Sequence, residues 1–410
     1  MPRVFLLSLC LTLACHGQDW PRWRGANGDG RWNPKDAPAD HAQREPERLW
    51  KKEIGGGYGG VTVSGGRVYV MDRQKTPREA ERVLCFDAET GKELWTHPWE
   101  VEYGSMDYGT GPRSSVNITD GKAYALGATG VAVCLQADSG KVLWQVDTVA
   151  QFGAKIPTWG FAASPVLDGG RVLLHVGADK NGSVLALDKD TGAEVWRGGP
   201  DPAGYCTPEI ITHAGTRQLI AWGPEHIQSL NPETGAVNWT YPYKITYGVS
   251  IAQPLYHEGL LLVSGYWHGA KVLQLGRTAK DVTLVWENEK ALCGLMSAPL
   301  FKDGIVYMLD KNRGLQAFEL KTGQILWSDD NTLTPKDRNP QMSLVWMKEA
   351  EDMATLLNAS GELVHVALRP ASREELGRHQ IIGKTWAHPA FVGSRVFARS
   401  DKELAAWQLW

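Results

Sequence analysis

The 410-residue chain lacks most of the features by which a sequence declares its chemistry. It has no basic block: 43 Lys and Arg and 46 Asp and Glu are spread along the chain, for a net charge of −3. Nucleic acid is therefore not an expected partner. Cysteine is scarce, six in all, with no two adjacent and no C-x-x-C-H; "CLTLACH" (10–16) has the wrong spacing for c-type haem. H-E-x-x-H and G-x-S-x-G are missing, which removes the zinc-protease and nucleophile-elbow readings. "GGGYGG" (55–60) lacks the Lys-Ser/Thr of a phosphate loop and reads as a flexible entry to the first repeat, while "NGDG" (27–30) is too short for an EF-type calcium loop. No stretch keeps a 3.6-residue apolar period. No catalytic residue and no metal site is assigned.

Long apolar runs are also missing beyond the amino terminus, so no membrane span is expected in the mature chain. The start, "MPRVFLLSLCLTLACHG", sets Arg3 before an apolar run from Val4 to Ala14. That is too short to span a bilayer and suits a signal peptide over residues 1–17. The alternative is a lipobox, "TLAC", which would place a lipid on Cys15, with Thr12 standing where such boxes usually have Leu. Either way the protein is expected to be exported, to the periplasm or the outer cell envelope. Cys85, Cys134, Cys206 and Cys293 remain. Cys85 and Cys134 hold equivalent places in successive repeats, farther apart than the ~5.5 Å Cα spacing of a disulfide, so four buried free thiols are expected.

What the sequence has in abundance is glycine, 45 residues, and tryptophan, 18 residues, and both recur in phase. "FDAETGKELW" (86–95) returns as "LDKDTGAEVW" (187–196), "LNPETGAVNW" (230–239) and "FELKTGQILW" (318–327). Anchored on Trp50, Trp95, Trp144, Trp196, Trp239, Trp286 and Trp327, the spacings are 45, 49, 52, 43, 47 and 41 residues, the period of a four-stranded propeller blade. Segments such as "GGRVYVMD" and "DGIVYMLD" are short, β-branched or aromatic, and bounded by glycine, as strands are. Each unit predicts an inner strand, two middle strands, a T-G turn and an outer strand ending in Trp. The turn glycines supply positive φ, and each Trp offers a flat face to the next blade.

Counting units gives six repeats through Trp327, a looser seventh (343–368) without the Trp, and an eighth (386–410) that stops after its third strand. "ERLWKKEI" (47–54) looks like the end of a blade with no blade before it. An amino-terminal strand completing the last blade would close the ring and remove the exposed sheet edges. The expected fold is all-β: an eight-bladed β-propeller over 45–410, a 18–44 entry segment before it, and seven blades as the alternative.

The D-x-x-T-G-x-x-x-W phrase resembles the tryptophan-docking repeat of the pyrroloquinoline-quinone (PQQ) propeller superfamily, and the resemblance covers roughly residues 45–410. "DWPRWRGANGDG" (19–30) is similar to the entry segment of many secreted bacterial members. The superfamily includes quinoprotein alcohol and glucose dehydrogenases and non-enzymatic BamB-type lipoproteins of outer-membrane assembly. The resemblance implies for the dehydrogenases a PQQ in the central funnel, stacked on a Trp and chelating Ca²⁺, with an Asp as base. "MLDKNRG" (308–314) resembles their quinone-contacting segment, with Lys311 in the Arg position, but it also reads as a plain hairpin turn.

The beginnings of the inner strands should ring one mouth of the channel. They place Tyr58, Tyr108, Trp159, Tyr205, Tyr247 and Trp386 there, with Arg113, Lys311 and His388 as polar partners. These rings either pack between blades or line a funnel for a peptide segment, glycan or flat cofactor. Asp107, Asn117 and Glu209 are isolated polar candidates that read as turn or surface residues. The sequence favours a monomeric, non-enzymatic binding or scaffold propeller for a protein or polymer partner at the cell envelope. The alternative is a small PQQ-dependent dehydrogenase oxidising an alcohol or sugar.

Overall fold

The computed structural model describes residues 19–410; the signal-peptide and Cys15 expectations lie outside them. The chain forms eight four-stranded antiparallel sheets, the blades of a propeller. Blade 1 is Thr62–Ser64, Arg67–Gln74, Ala80–Asp87 and Glu93–Glu100, and the pattern repeats through blade 7, Met342–Lys348 to Arg373–Gln380. In blade 8, strands Ala390–Val392, Arg395–Arg399 and Glu403–Gln408 are completed by the amino-terminal strand Glu47–Glu53, which pairs with Glu403–Gln408. Ring closure by the displaced strand is as expected, and seven blades are ruled out. Cys85, Cys134, Cys206 and Cys293 are buried free thiols, and burial pushes Cys85 and Cys206 up to about 12. No helix among the described residues is long and apolar enough to cross a membrane.

The repeated Trp does not end the outer strand, as the sequence suggested, but stands near its start. The reason is a β-bulge in front of it. Cys85 faces Trp95 and Phe86 faces Glu93, so Leu94 is left unpaired and 42% exposed. The same shift occurs in every blade, and in the closing strand it falls between Arg48 and Trp50. The bulge turns the indole toward the neighbouring blade. There it lies on the T-G turn: a Cβ at Gly140 would sit 2.6 Å from Trp95. Trp95 Nε1 donates to Ala137 O at 3.1 Å, and Trp144 Nε1 to Lys189 O at 3.0 Å. Glycine is required twice over, for φ of +71° at Gly140 and for the ring's approach.

Blade 7 has all four strands but puts Gly377 in the Trp place, opposite His365. The vacancy is filled by the entry segment. A Cβ at Gly377 would lie 1.8 Å from Ala42 O, and the His379 ring reaches Ala42 O at 3.0 Å through Nε2. We expect Gly377→Ala to expel the 3-10 turn His41–Gln43, speeding proteolysis at Arg44 while leaving the global unfolding midpoint within about 1 kcal/mol. Unchanged cleavage would show that the turn is held elsewhere.

The entry segment does more than lead in. Trp20 exchanges two 2.9 Å backbone bonds with Val63 in blade 1, and Ile118 N in blade 2 donates to Pro21 O. Buried Arg24 reaches Gln253 Oε1 and Pro299 O, at blades 5 and 6. Trp346 N in blade 7 donates to Gly30 O, and Trp32 Nε1 donates to Gly393 O in blade 8. Residues 20–32 thus lie across the axis and plug the channel. "GGGYGG" is not flexible either: Gly56 and Gly59 pack where a Cβ would lie 2.7 Å from Thr110 O and 2.3 Å from Ser114 O.

Candidate functional site

The plug closes one end of the channel and leaves a funnel at the other, a cavity of about 540 Å³, within the roughly 300–1,000 Å³ of ligand pockets. Most of its wall comes from the loops that carry the chain from one blade's outer strand to the next inner strand. Eight of the nine residues assigned to the mouth from sequence line the funnel: Tyr58, Tyr108, Arg113, Trp159, Tyr205, Tyr247, Trp386 and His388. Blade repetition explains this, because equivalent loops converge on one mouth. Lys311 is not in that lining. Its ammonium lies 3.8 Å from the Tyr266 ring and 3.6 Å from Trp267, one aromatic layer behind the funnel. Its segment is the hairpin turn that the sequence also allowed, with Asp310 Oδ1 accepting from Asn312 N and Arg313 N.

The rings form two groups. Trp386 stacks on Tyr58 at 5.5 Å and contacts Tyr108 at 5.6 Å, while Trp159 meets Tyr205 at 5.7 Å. Arg113 pins the first group. Its guanidinium donates to Gly111 O, Asp107 O and Tyr108 O and lies 5.4 Å from the Tyr58 ring. Burial lowers its pKa from the usual arginine value, and Tyr205 is likewise pushed up to about 12 by burial. His388 forms part of the floor, edge-on to Trp23 at 5.5 Å, and burial lowers it to about 4, so it is neutral at pH 7.

Tyr108 and Tyr247 stand at the rim, 45% and 73% exposed. Both have left-handed backbones, φ 51° and 58°. A bulky non-glycine residue there is strained, and such strain gathers at functional sites. Asn339 Nδ2 donates to the Tyr108 hydroxyl at 3.2 Å, and Tyr266 Oη donates to Asn339 Oδ1 at 3.0 Å. The loop between blades 6 and 7 therefore reaches across the mouth toward blade 1.

Trp23, Tyr266, Trp267, Arg338 and Asn339 also line the funnel and were not expected from sequence. One signal was available: in "GYWHG" two adjacent aromatics occupy a hairpin turn, and alternation forbids both from facing the core. Of the isolated polar candidates, Asp107 lines the funnel. Asn117 and Glu209 are not turn or surface residues: both face a second cavity, on the far side of the plug. The lining of the funnel contains a single carboxylate, Asp107. Nowhere among the described residues do three His, Cys, Asp or Glu side chains converge as a metal site.

Against known proteins, the family model described as outer membrane protein assembly factor BamB matches residues 39–97, 79–291 and 223–409. The chain belongs to this BamB-type family of PQQ-like propellers. It is 24% identical over 298 residues to the outer membrane protein assembly factor BamB of Yersinia pestis, covering 71% of this chain and 62% of that protein. It is 27% identical over 318 residues to the polyvinylalcohol dehydrogenase of a Sphingopyxis species, covering 62% of this chain and 43% of the enzyme. The chain thus spans less than two thirds of either relative. Among solved structures, BamB from Moraxella catarrhalis superposes with a TM-score of 0.61 at 16% identity, over 89% of this chain and 98% of that one. Quinohemoprotein alcohol dehydrogenase from Comamonas testosteroni gives 0.68 at 15% identity, over 96% and 80%. The structural likenesses show the propeller fold alone; both kinds of relative share that fold, and one fold hosts unrelated functions.

Proposed function

We propose that the protein is a non-enzymatic binding propeller of the cell envelope, exported there, which holds a segment of a protein or polymer partner in its aromatic funnel. The observation that carries this is the convergence of six rings from six inter-blade loops on one open cavity, with two strained tyrosines at its rim. Tyr and Trp combine apolar area with a polar handle at low entropic cost, which suits them to grip extended chains. The BamB relatives, whose name is that of an outer-membrane assembly factor, support an envelope setting and a protein partner.

Pull-down from envelope extracts with the wild type, Tyr247→Ala and Trp159→Ala tests the proposal. Tyr247 is 73% exposed, so its loss should leave folding intact. Captured partner should fall at least tenfold in either variant, and undiminished capture by both would overturn the assignment.

The likeness to quinohemoprotein alcohol dehydrogenase motivates the second reading, a small PQQ-dependent dehydrogenase. The residues present fit it poorly. Ca²⁺ takes roughly 6–8 oxygen ligands, whereas the funnel offers one carboxylate, Asp107, and Lys311 lies behind Tyr266 and Trp267. Adding PQQ and Ca²⁺ should give no bound-quinone absorbance and no dye reduction with alcohols or sugars. Turnover would reverse the order of the two readings.

A further inference from the structure

Behind the Trp23 indole lies the second cavity, about 260 Å³, separated from the funnel by Trp23, Ser164 and Thr207, which face both. Two charged groups face this chamber without partners. Glu209, at the start of the strand Glu209–His213, accepts no hydrogen bond and enters no ion pair among the described residues. Arg22 donates Nε to Ala26 O at 3.2 Å, but its terminal nitrogens make no hydrogen bond or ion pair among the described residues. The other nearby charged groups each have hydrogen-bond or ion-pair partners. Arg24 is bonded to Gln253 Oε1, Asp29 O and Pro299 O, Asp29 pairs with Arg31, and Asp168 is shared by Arg171 and Arg217. Arg217, its side chain 43% exposed, marks where the chamber reaches solvent.

Glu209 and Arg22 are half-buried, and a carboxylate and a guanidinium partly withdrawn from water lose hydration that a bound group of opposite charge would replace. No ion pair joins these two, and the space they face is the cavity. We propose that the chamber is a binding site for a small zwitterion with the charge pattern of a free α-amino acid, its ammonium on Glu209 and its carboxylate on Arg22. The guanidinium fork suits a carboxylate, and the Glu209 carboxylate accepts from an ammonium. The site is separate from the funnel and does not depend on the function proposed for it.

The protonation of Glu209 gives the site a pH dependence. Burial lifts its carboxyl to about 7, Arg24 and Arg22 oppose the rise, and Asp29 adds to it. An ammonium prefers the ionised form, so binding should strengthen about tenfold between pH 6 and pH 8.

Calorimetric titration of the full chain with L-alanine tests this, with methylammonium and acetate as single-charge controls. At pH 8, alanine should bind saturably, with a Kd of about 1 mM or tighter, and each control at least tenfold more weakly. Glu209→Gln should weaken alanine at least tenfold, whereas Trp159→Ala in the funnel should not change it. Were Glu209→Gln to fail to fold, the tenfold pH dependence of the wild type carries the test. No saturable alanine binding, controls that bind equally well, or binding indifferent to both Glu209→Gln and pH would each overturn the proposal.

Discussion

Trp50→Ala will destabilise the whole propeller by about 3–5 kcal/mol, the range for truncating a buried Trp. Trp50 is 8% exposed, and its Nε1 donates to Ala88 O at 3.0 Å. Its face covers the first T-G turn, where a Cβ at Gly91 would lie 2.6 Å from Trp50 Cδ2. The other docking tryptophans join blades that are consecutive in the chain. Trp50 instead sits on the strand that pairs with Glu403–Gln408: its own docking contact, to Ala88 and Gly91, is as local as the others, but it fastens to blade 1 a strand whose ladder partners lie nearly the entire sequence away. Closing so long a loop carries its own entropic cost, and little besides docking and strand pairing offsets it. Trp50→Phe keeps most of the ring face and loses the bond to Ala88, so it should cost about 1 kcal/mol beyond the packing change. Urea denaturation read as a shift in midpoint at unchanged slope measures both. A Trp50→Ala midpoint equal to the wild type would mean that closure rests on the strand ladder alone.

Acid should unfold the protein through its buried histidines, of which His175 and His365 lie outside the funnel. His175 accepts from Gly204 N through Nε2 at 3.2 Å, and its Nδ1 lies 3.3 Å from Cys206 O, an arrangement that suits the neutral ring. Burial lowers its pKa to about 4 from 6.5. His365, bonded to Thr355 Oγ1 at 2.9 Å, is lowered to about 3 by burial and by His41 and His379. For a base with a depressed folded pKa, the unfolded chain binds the extra proton first. The stability is present above pH 6.5 and is lost as pH falls toward 4 for His175 and 3 for His365. Each group contributes a slope of up to about 1.4 kcal/mol per pH unit in its window. Glu209 acts in the opposite sense between about 7 and 4.5, where its raised pKa makes acidification favourable. With His388, lowered to about 4, three histidines oppose Glu209 and Glu81, whose carboxyl burial also raises, so the unfolding midpoint should fall from pH 6.5 to 4. His365→Gln, which keeps a polar partner for Thr355, should flatten the profile. A flat wild-type profile over that window would show that both rings titrate normally.

The repeat phrase made the blades, their number and the closing strand readable, because hairpin pairing is local and each unit restates it. The funnel followed from the same periodicity: equivalent loops must converge, so Tyr58, Trp159 and Trp386 could be placed together without any contact being known. Less legible was the bulge that moves the Trp from the end of its strand to near its start, since the ten-residue phrase reads the same either way.

The sequence by itself determined a closed ring of repeats and a ring of aromatics at one mouth, both consequences of a period written into the chain. Only the tertiary structure decided what fills the ring. The plug of residues 20–32, the turn at Ala42 that replaces a missing tryptophan at Gly377, and the chamber where Arg22 and Glu209 face each other's charge carry no period. Such irregular segments are fixed by where they dock, through contacts with strands hundreds of residues away, and no local pattern encodes that distance.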